Sequence, residues 1–290
     1  MSILPIIILG HAVICDLEQG VAPWTKPWKM DRVPNIHVMP ANAKSHRPYS
    51  GANVLILWGT AYERGYPTHG WLTYRQANEA GGSVRRGEKG THIVYTKLLE
   101  PEEEGGEKKR VLRAYTVFNV AQCEGLDESI WTETDDTPED ERLGDIADFI
   151  HECGVPITIG GDMAAYYPAK DQIVMPPKEA FDSLEHFYAT ELHELTHATG
   201  HASRLNRDTL TNAKSGSDEY AKEELVAEMG AAFLCAHLGI KGDLKHSEYI
   251  DHWLKVLKAD QRAIFYAASR ASQAADFWRE HVNHTAQEAA

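Results

Sequence analysis

The sequence predicts an α+β protein of two domains: an N-terminal α+β domain, then a mostly helical C-terminal domain with a small sheet. Three observations carry that prediction. The 290 residues suffice for one large or two ordinary domains, and 43% hydrophobic with 25% charged residues is the composition of a folded chain. Charge is divided unevenly. Residues 1–122 carry 15 Lys+Arg against 11 Asp+Glu, whereas residues 123–290 carry 14 against 32, for a total of −14. Helix and strand signals also alternate in the first half, while helical periodicity dominates the second.

The N-terminal run MSILPIIILGHAVIC lacks basic residues before it and a small-residue cleavage site after it, so it does not read as a signal peptide. It is also too short to span a bilayer. It reads as a buried first helix, or as a start placed ahead of the native one. NVLILWGTAYERG, from Asn53 to Gly65, reads as an apolar helix. WLTYRQANEAGG gives a short helix with Thr73 as N-cap and Gly81 as its stop. THIVYTKL (91–98) and VLRAYTVFNVAQ (111–122) are rich in β-branched and aromatic residues and read as strands, with the acidic stretch 100–109 as a solvated hairpin loop.

Residues 126–142, LDESIWTETDDTPEDER, read as an acidic linker, dividing the chain into domains 1–125 and 143–290. The second domain opens with a helix over 143–154, followed by short strands PITIG (156–160) and DQIVMPP (171–177). Helices then follow over 180–199, 217–238, 246–258 and 260–281. The four cysteines, Cys15, Cys123, Cys153 and Cys235, form no C-x-x-C pair and no disulfide framework, which predicts a reducing, cytoplasmic setting.

Chemistry concentrates in HELTHATGHASR, from His193 to Arg204. His193 and His197 frame Glu194 as H-E-x-x-H. Residues four apart on a helix share a face, about 6 Å apart along the axis, so both imidazoles can face one metal. Zinc lowers the pKa of bound water towards ~7, and Glu194, about 100° round the helix, is placed to take the proton as general base. His201 would lie about 12 Å beyond His193 on a continuous helix, too far to share a zinc whose Zn–N distances are about 2.0–2.1 Å. Gly200 is where such a helix would stop. Metzincins bring back a histidine three residues after that glycine, but here the position is Ser203. His201 therefore reads as a neighbour of the site, not a ligand.

A third ligand is sought in EYAKEELVAEMGAAFLCAHLG. Glu224 and Glu228 lie one turn apart among Leu225, Val226, Met229, Phe233 and Leu234, where an unpaired carboxylate is costly. Glu224 is assigned as third ligand and Glu228 as acceptor for the far nitrogen of a ligand histidine. The same spacing would serve with the two exchanged. Tyr166, Tyr167 and Tyr220 read as packing residues; any of them is also placed to stabilise an oxyanion, and the residues alone do not choose among them. AAYYPAKDQIVMPP reads as strand and turn bordering the cleft, where an extended polypeptide substrate can pair. This is the layout of a minimal zincin.

The first half offers different chemistry. GVAPWTKPWK alternates aromatic and basic residues, namely Trp24, Lys26, Trp28 and Lys29. Arg47, Tyr49, Arg75, Arg85, Arg86 and Lys89 extend the pattern, with Trp71 and Tyr74 among them. Aromatic faces stack on unpaired bases and cations neutralise phosphates, which points to single-stranded nucleic acid; core tryptophans and a charged turn would give the same composition.

LEQGVAPWTKPW, RPYSGANVLILW, WLTYRQANEAGGSVRRGEKGTHIVY and YTVFNVAQCEGL closely resemble the N-terminal domain of ArdC-type antirestriction proteins. YYPAKDQIVMPP, HELTHATGHASRLNR and YAKEELVAEMGAAFL resemble that family's zincin-like C-terminal domain. The resemblance covers about residues 16–280. It implies a single-stranded-DNA-binding domain joined to a metallopeptidase-like domain, in a mobile-element protein that shields entering DNA from host restriction. The expected cofactor is Zn2+; the expected partners are single-stranded DNA and a polypeptide substrate, with no membrane. Two other classes fit the same motifs: a DNA-coating protein whose zinc is structural, and a metalloprotease unrelated to restriction, DNA-dependent or general.

Overall fold

A computed structural model describes residues 4–20, 22, 24, 38–99, 109–131, 138–211, 216–240 and 250–289. Lys26, Trp28, Lys29 and nearly all of the loop read at 100–109 lie outside the described residues. In the first half, α1 (Leu4–Glu18) precedes β1 (Ala41–Asn42), α2 (Ala52–Arg64), β2 (Gly70–Leu72), α3 (Tyr74–Glu79), β3 (Ser83–Val84), β4 (Thr91–Leu99), β5 (Lys109–Asn119) and β6 (Cys123–Glu124). The second half contains α4 (Glu139–Glu152), β7 (Ile157–Ile159), β8 (Ala165–Tyr167), β9 (Gln172–Met175), α5 (Leu184–Thr199), α6 (Asp208–Thr211), α7 (Asp218–Leu238), α8 (Ile250–Ala259) and α9 (Ala263–Ala289). No helix among the described residues is long and apolar enough to cross a membrane.

Local chemistry sets most boundaries. α2 ends as Gly65 turns left-handed at φ 65°. Thr73 and Gln76 form the capping box of α3, which stops at Glu79, two residues short of Gly81. The strand read at 111–122 ends at Asn119. There the Asn119 side chain accepts from the Ala121 amide, and Gln122 accepts from the Asn119 amide, tightening Val120–Gln122 into a 3-10 turn. α5 starts at Leu184, not near 180, because Ser183 accepts from the His186 amide.

Of the acidic linker expected at 126–142, residues 132–137 lie outside the described residues, and the described parts on either side are structured. Glu139, Asp140 and Glu141 form the first turn of α4, where acids suit the helix dipole. Trp131 stacks on His46 with ring centroids 5.8 Å apart.

The main sheet of the first half runs β1-β2-β5-β4, parallel between β1 and β2 and antiparallel elsewhere; β3 pairs with β6. The second sheet runs β7-β9-β8, with β8 an antiparallel edge strand beside α5. α5 is buried from Phe187 through Thr199, packed by α4, α7, α9 and the second sheet. Its buried hydroxyls are satisfied internally, Thr190 donating to the His186 carbonyl and Thr196 to that of Leu192. α5 and α7 approach closely because residue 230 is glycine: a Cβ there would lie 2.4 Å from the Thr196 methyl.

The two halves share one apolar core. α1 packs on α8, and α2 on α9. Trp58 of α2 meets Phe233 of α7 edge-on at 5.7 Å, and the Gly51 amide donates to Ser272 Oγ at 2.7 Å. The N-terminal run is thus a helix whose Val13, Ile14 and Leu17 are buried. Trp24, expected to stack on DNA, is 0% exposed and packs edge-on against Trp253 at 5.5 Å. No face of its ring is open to a base; it is core. Trp24→Ala is expected to lower the unfolding free energy by about 3–5 kcal/mol, measured by denaturant titration. An unchanged midpoint would contradict this packing.

Candidate metal centre and nucleic-acid face

α5 and α7 cross with their polar positions facing each other. His193 Nε2 and His197 Nε2 lie 3.2 Å apart. The Glu224 carboxylate lies 3.5 Å from the first and 3.6 Å from the second. Four-coordinate zinc, with ligands at about 2.0–2.1 Å, separates its donor atoms by roughly 3.3 Å. The three side chains therefore fit a small metal ion, and among the described residues these are the three that form a compact donor cluster.

Each histidine also has a carboxylate behind it. His197 Nδ1 lies 3.2 Å from Glu223 Oε1, and His193 Nδ1 lies 3.7 Å from Glu228 Oε1. Such acceptors orient a ligating imidazole and raise its basicity. Glu194 is buried beside the donors, with its Oε2 accepting from the Tyr166 amide on β8 at 2.7 Å. His201 lies past the helix end, its Nδ1 2.7 Å from Ser203 Oγ, outside the donor cluster.

Charge explains the surroundings. Glu194, Glu223, Glu224 and Glu228 are all buried, with Arg207 as the buried guanidinium among them. Arg207 donates to Glu223 through Nε at 3.1 Å and Nη2 at 2.6 Å, and to the Thr196 carbonyl at 2.8 Å. It thus pairs a buried carboxylate and caps the negative end of α5. Gly200 ends that helix as expected, but for a different reason. Its φ is −76°, open to any residue, whereas a Cβ would meet the Arg207 guanidinium at 2.9 Å. Burial alone would raise the Glu223 pKa, but His197 and Arg207 outweigh it and hold the carboxyl at about 2. Burial would lower His197, but the Glu224 and Glu223 carboxylates push it up to about 10. Burial likewise opposes ionisation of Glu224, and the two histidines hold it far below the usual carboxylate range. The cluster carries surplus negative charge that a dication balances.

A second network props the cleft. Tyr166 donates its hydroxyl to Asp171 at 2.8 Å, and Arg204 bridges Asp171 to the Ala198 carbonyl. The Tyr166 hydroxyl is thus engaged in the wall of the cleft, while Tyr167 is exposed.

The expected DNA-contacting residues divide. Arg47, Arg75, Arg86 and Lys89 are exposed. Arg75 also pairs with Glu79 at 2.6 Å. Arg85 is exposed as well, and its guanidinium also bonds Glu88 at 2.9 Å and the Ala121 carbonyl at 2.6 Å, bracing the turn after β3. Tyr49 is buried in the sheet's own core with Leu57, Trp71, Ile93 and Val117.

Comparison with known proteins identifies both halves of the chain. Residues 9–118 match the family described as the N-terminal domain of anti-restriction factor ArdC, and residues 145–270 match the zincin-like metallopeptidase family. The crystal structure of the antirestriction protein ArdC from plasmid R388 superposes with a TM-score of 0.78 at 40% identity, covering 95% of this chain and 97% of that one. This chain belongs to the ArdC family of antirestriction proteins. Protein y4eC of Sinorhizobium fredii is 37% identical over 91% of this chain and 88% of its own length. DNA primase TraC of Escherichia coli is 38% identical over 93% of this chain, which spans 26% of that longer protein. A second R388 ArdC structure, with a TM-score of 0.78 at 39% identity, is Mn(II)-bound. The zincin-like fold of this domain implies a metal.

Glu223, Arg207, Asp171 and Arg204 were not singled out from the sequence. Glu223 stands beside Glu224 in KEELVAE, and a neighbouring acid 100° round the helix was the available signal. The others become meaningful only once strand and loop are folded onto α5.

Two outcomes follow from this geometry. Arg207→Met and Glu223→Gln should each destabilise the fold by about 3–5 kcal/mol by stranding the other's buried charge, and Glu223→Gln should in addition weaken metal binding by about 10–100-fold through the lost acceptor on His197. Denaturant titration and metal competition separate the two. Ligation also requires a neutral His197 ring, so metal displaces a proton held up to about pH 10. Affinity for Zn(II) or Mn(II) should rise with pH through neutrality, by about tenfold per pH unit where one proton is displaced. Calorimetry showing pH-independent affinity would contradict this arrangement.

Proposed function

We propose that this protein protects entering DNA from restriction in the cytoplasm by holding single-stranded DNA on its N-terminal domain and hydrolysing a polypeptide at the zincin-like centre. The observation that carries the hydrolytic half is the buried convergence of three donors, with a fourth carboxylate, Glu194, beside them and outside the donor cluster. Catalytic zinc sites use three protein ligands and keep one position open, whereas structural sites use four. His193, His197 and Glu224 would hold the ion, and the nitrogen-rich donor set suits Zn2+. A metal bound there supplies a Lewis acid that polarises a carbonyl and makes water acidic.

The chain's own groups do the rest. Glu194 accepts the proton of the attacking water, and the Tyr166 amide fixes its carboxylate for that task. Glu223 and Glu228 orient the two imidazoles. β8 offers an edge to an extended substrate strand beside Glu194. On the DNA side, the exposed cations Arg47, Arg75, Arg86 and Lys89 neutralise phosphates, and exposed tyrosines offer stacking faces.

Glu194→Gln tests the reading. The variant should fold, keep its metal, and hydrolyse an unfolded protein about 10²–10⁴-fold more slowly than wild type in the presence of single-stranded DNA. Protection of plasmid DNA entering a restricting host should fall with it. Full protection by the variant would assign the protective role to DNA coating, with the metal as a structural element.

A further inference from the structure

We propose that the N-terminal domain carries a pocket for one unpaired nucleobase, walled by Tyr95 and Tyr115 and edged by Arg47. This rests on the reading that the domain binds single-stranded DNA. None of its aromatic walls lies in the Trp-Lys segment that suggested stacking from the sequence.

The register of the β4–β5 hairpin creates the pocket. Ile93 pairs with Tyr115, and Tyr95 with Arg113, so Ile93, Tyr95, Tyr115 and Val117 share one face. At one end of that face, Ile93 and Val117 are sealed against Leu57 and Ala61 of α2. At the other end, Tyr95 and Tyr115 emerge 55% and 45% exposed, edge-to-face with centroids 6.0 Å apart. They wall a cavity of about 440 Å³, of a size to hold a nucleotide.

The opposite wall is polar and held in place. Asn42 Nδ2 donates to Gln76 Oε1 at 3.0 Å, and the Thr73 hydroxyl donates to the same oxygen at 3.0 Å. Ser45 Oγ donates to Asn42 Oδ1 at 3.1 Å. These fixed amides and hydroxyls can read the edge of a flat heteroaromatic ring while the tyrosines cover its face. Arg47 lines the same cavity, and Arg113 stands exposed across from Tyr95, so cations flank the aromatic wall. A ring faced by tyrosines, edged by amides and flanked by guanidinium groups describes an unpaired base with its phosphate. In a duplex both faces of a base are covered by its stacked neighbours, so this pocket selects single strands.

The test uses the full-length protein, fluorescein-labelled dT20, and an oligonucleotide of the same length whose internal bases are replaced by abasic spacers. Wild type should bind dT20 at least roughly tenfold more tightly than the abasic strand. Tyr95→Ala with Tyr115→Ala should lose that preference and bind both strands alike, with an unchanged melting temperature. Tyr95→Phe with Tyr115→Phe should retain it. Wild type that binds dT20 but the abasic strand equally well, or a double alanine variant that keeps the preference, would overturn the pocket while leaving single-strand binding intact. Wild type that binds neither strand would overturn both readings.

Discussion

The buried Arg207–Glu223 pair is the contact on which the centre depends. Glu223 is 1% exposed and would be neutral or expelled without a partner. Arg207 supplies the charge and, with the same guanidinium, closes the carbonyl end of α5. Thr209 adds a third donor at 2.6 Å. With Glu223 held ionised, its other lone pairs face His197 and fix that ring towards His193 and Glu224. Gly200 belongs to the same arrangement, since it clears the space the guanidinium fills. One ion pair thus links the end of α5, the start of α6 and the second turn of α7.

That arrangement imposes a cost which the rest of the domain offsets. Four carboxylates in an interior repel one another unless cations or hydrogen bonds compensate. α5 is therefore enclosed on nearly every side, and Trp278 of α9 donates to the Leu195 carbonyl at 2.8 Å, fixing the helix from behind. The N-terminal half contributes to the same enclosure. α1 and α2 pack on the helices that pack on α5 and α7, so a domain assigned to DNA and a domain assigned to metal share one core. Trp58, Phe233 and the α2–α9 contact lie at the join between the two halves.

Helical spacing made much of the centre legible. Four-residue steps name His193, His197, Glu224 and Glu228, and helix length places His201 outside; the structure brings the first four together and leaves His201 in the turn beyond. Exposure was far less legible. Aromatic and basic residues in a Pro-containing loop look the same whether they face DNA or a core, and Trp24 proved to face Trp253. Arg85 is exposed, yet its guanidinium also reaches the carbonyl of Ala121, 36 residues away in the chain, a contact no local pattern announces. The acidic stretch before α4 looked like a linker because charge density, not capping, was its most visible feature.

Local pattern by itself determined the helices, the strands, the H-E-x-x-H face and the choice of a downstream helix for further carboxylates, because each depends on periodicities of a few residues. The gathering of four buried acids about the two histidines, with one arginine pairing Glu223, the crowding that makes residue 200 glycine, and the shared core were decided only by tertiary structure. So was the emergence of Tyr95 and Tyr115 at the open end of a buried sheet face. Those features depend on which distant surfaces meet, and burial and pairing of charge acquire their energies only after that meeting has occurred.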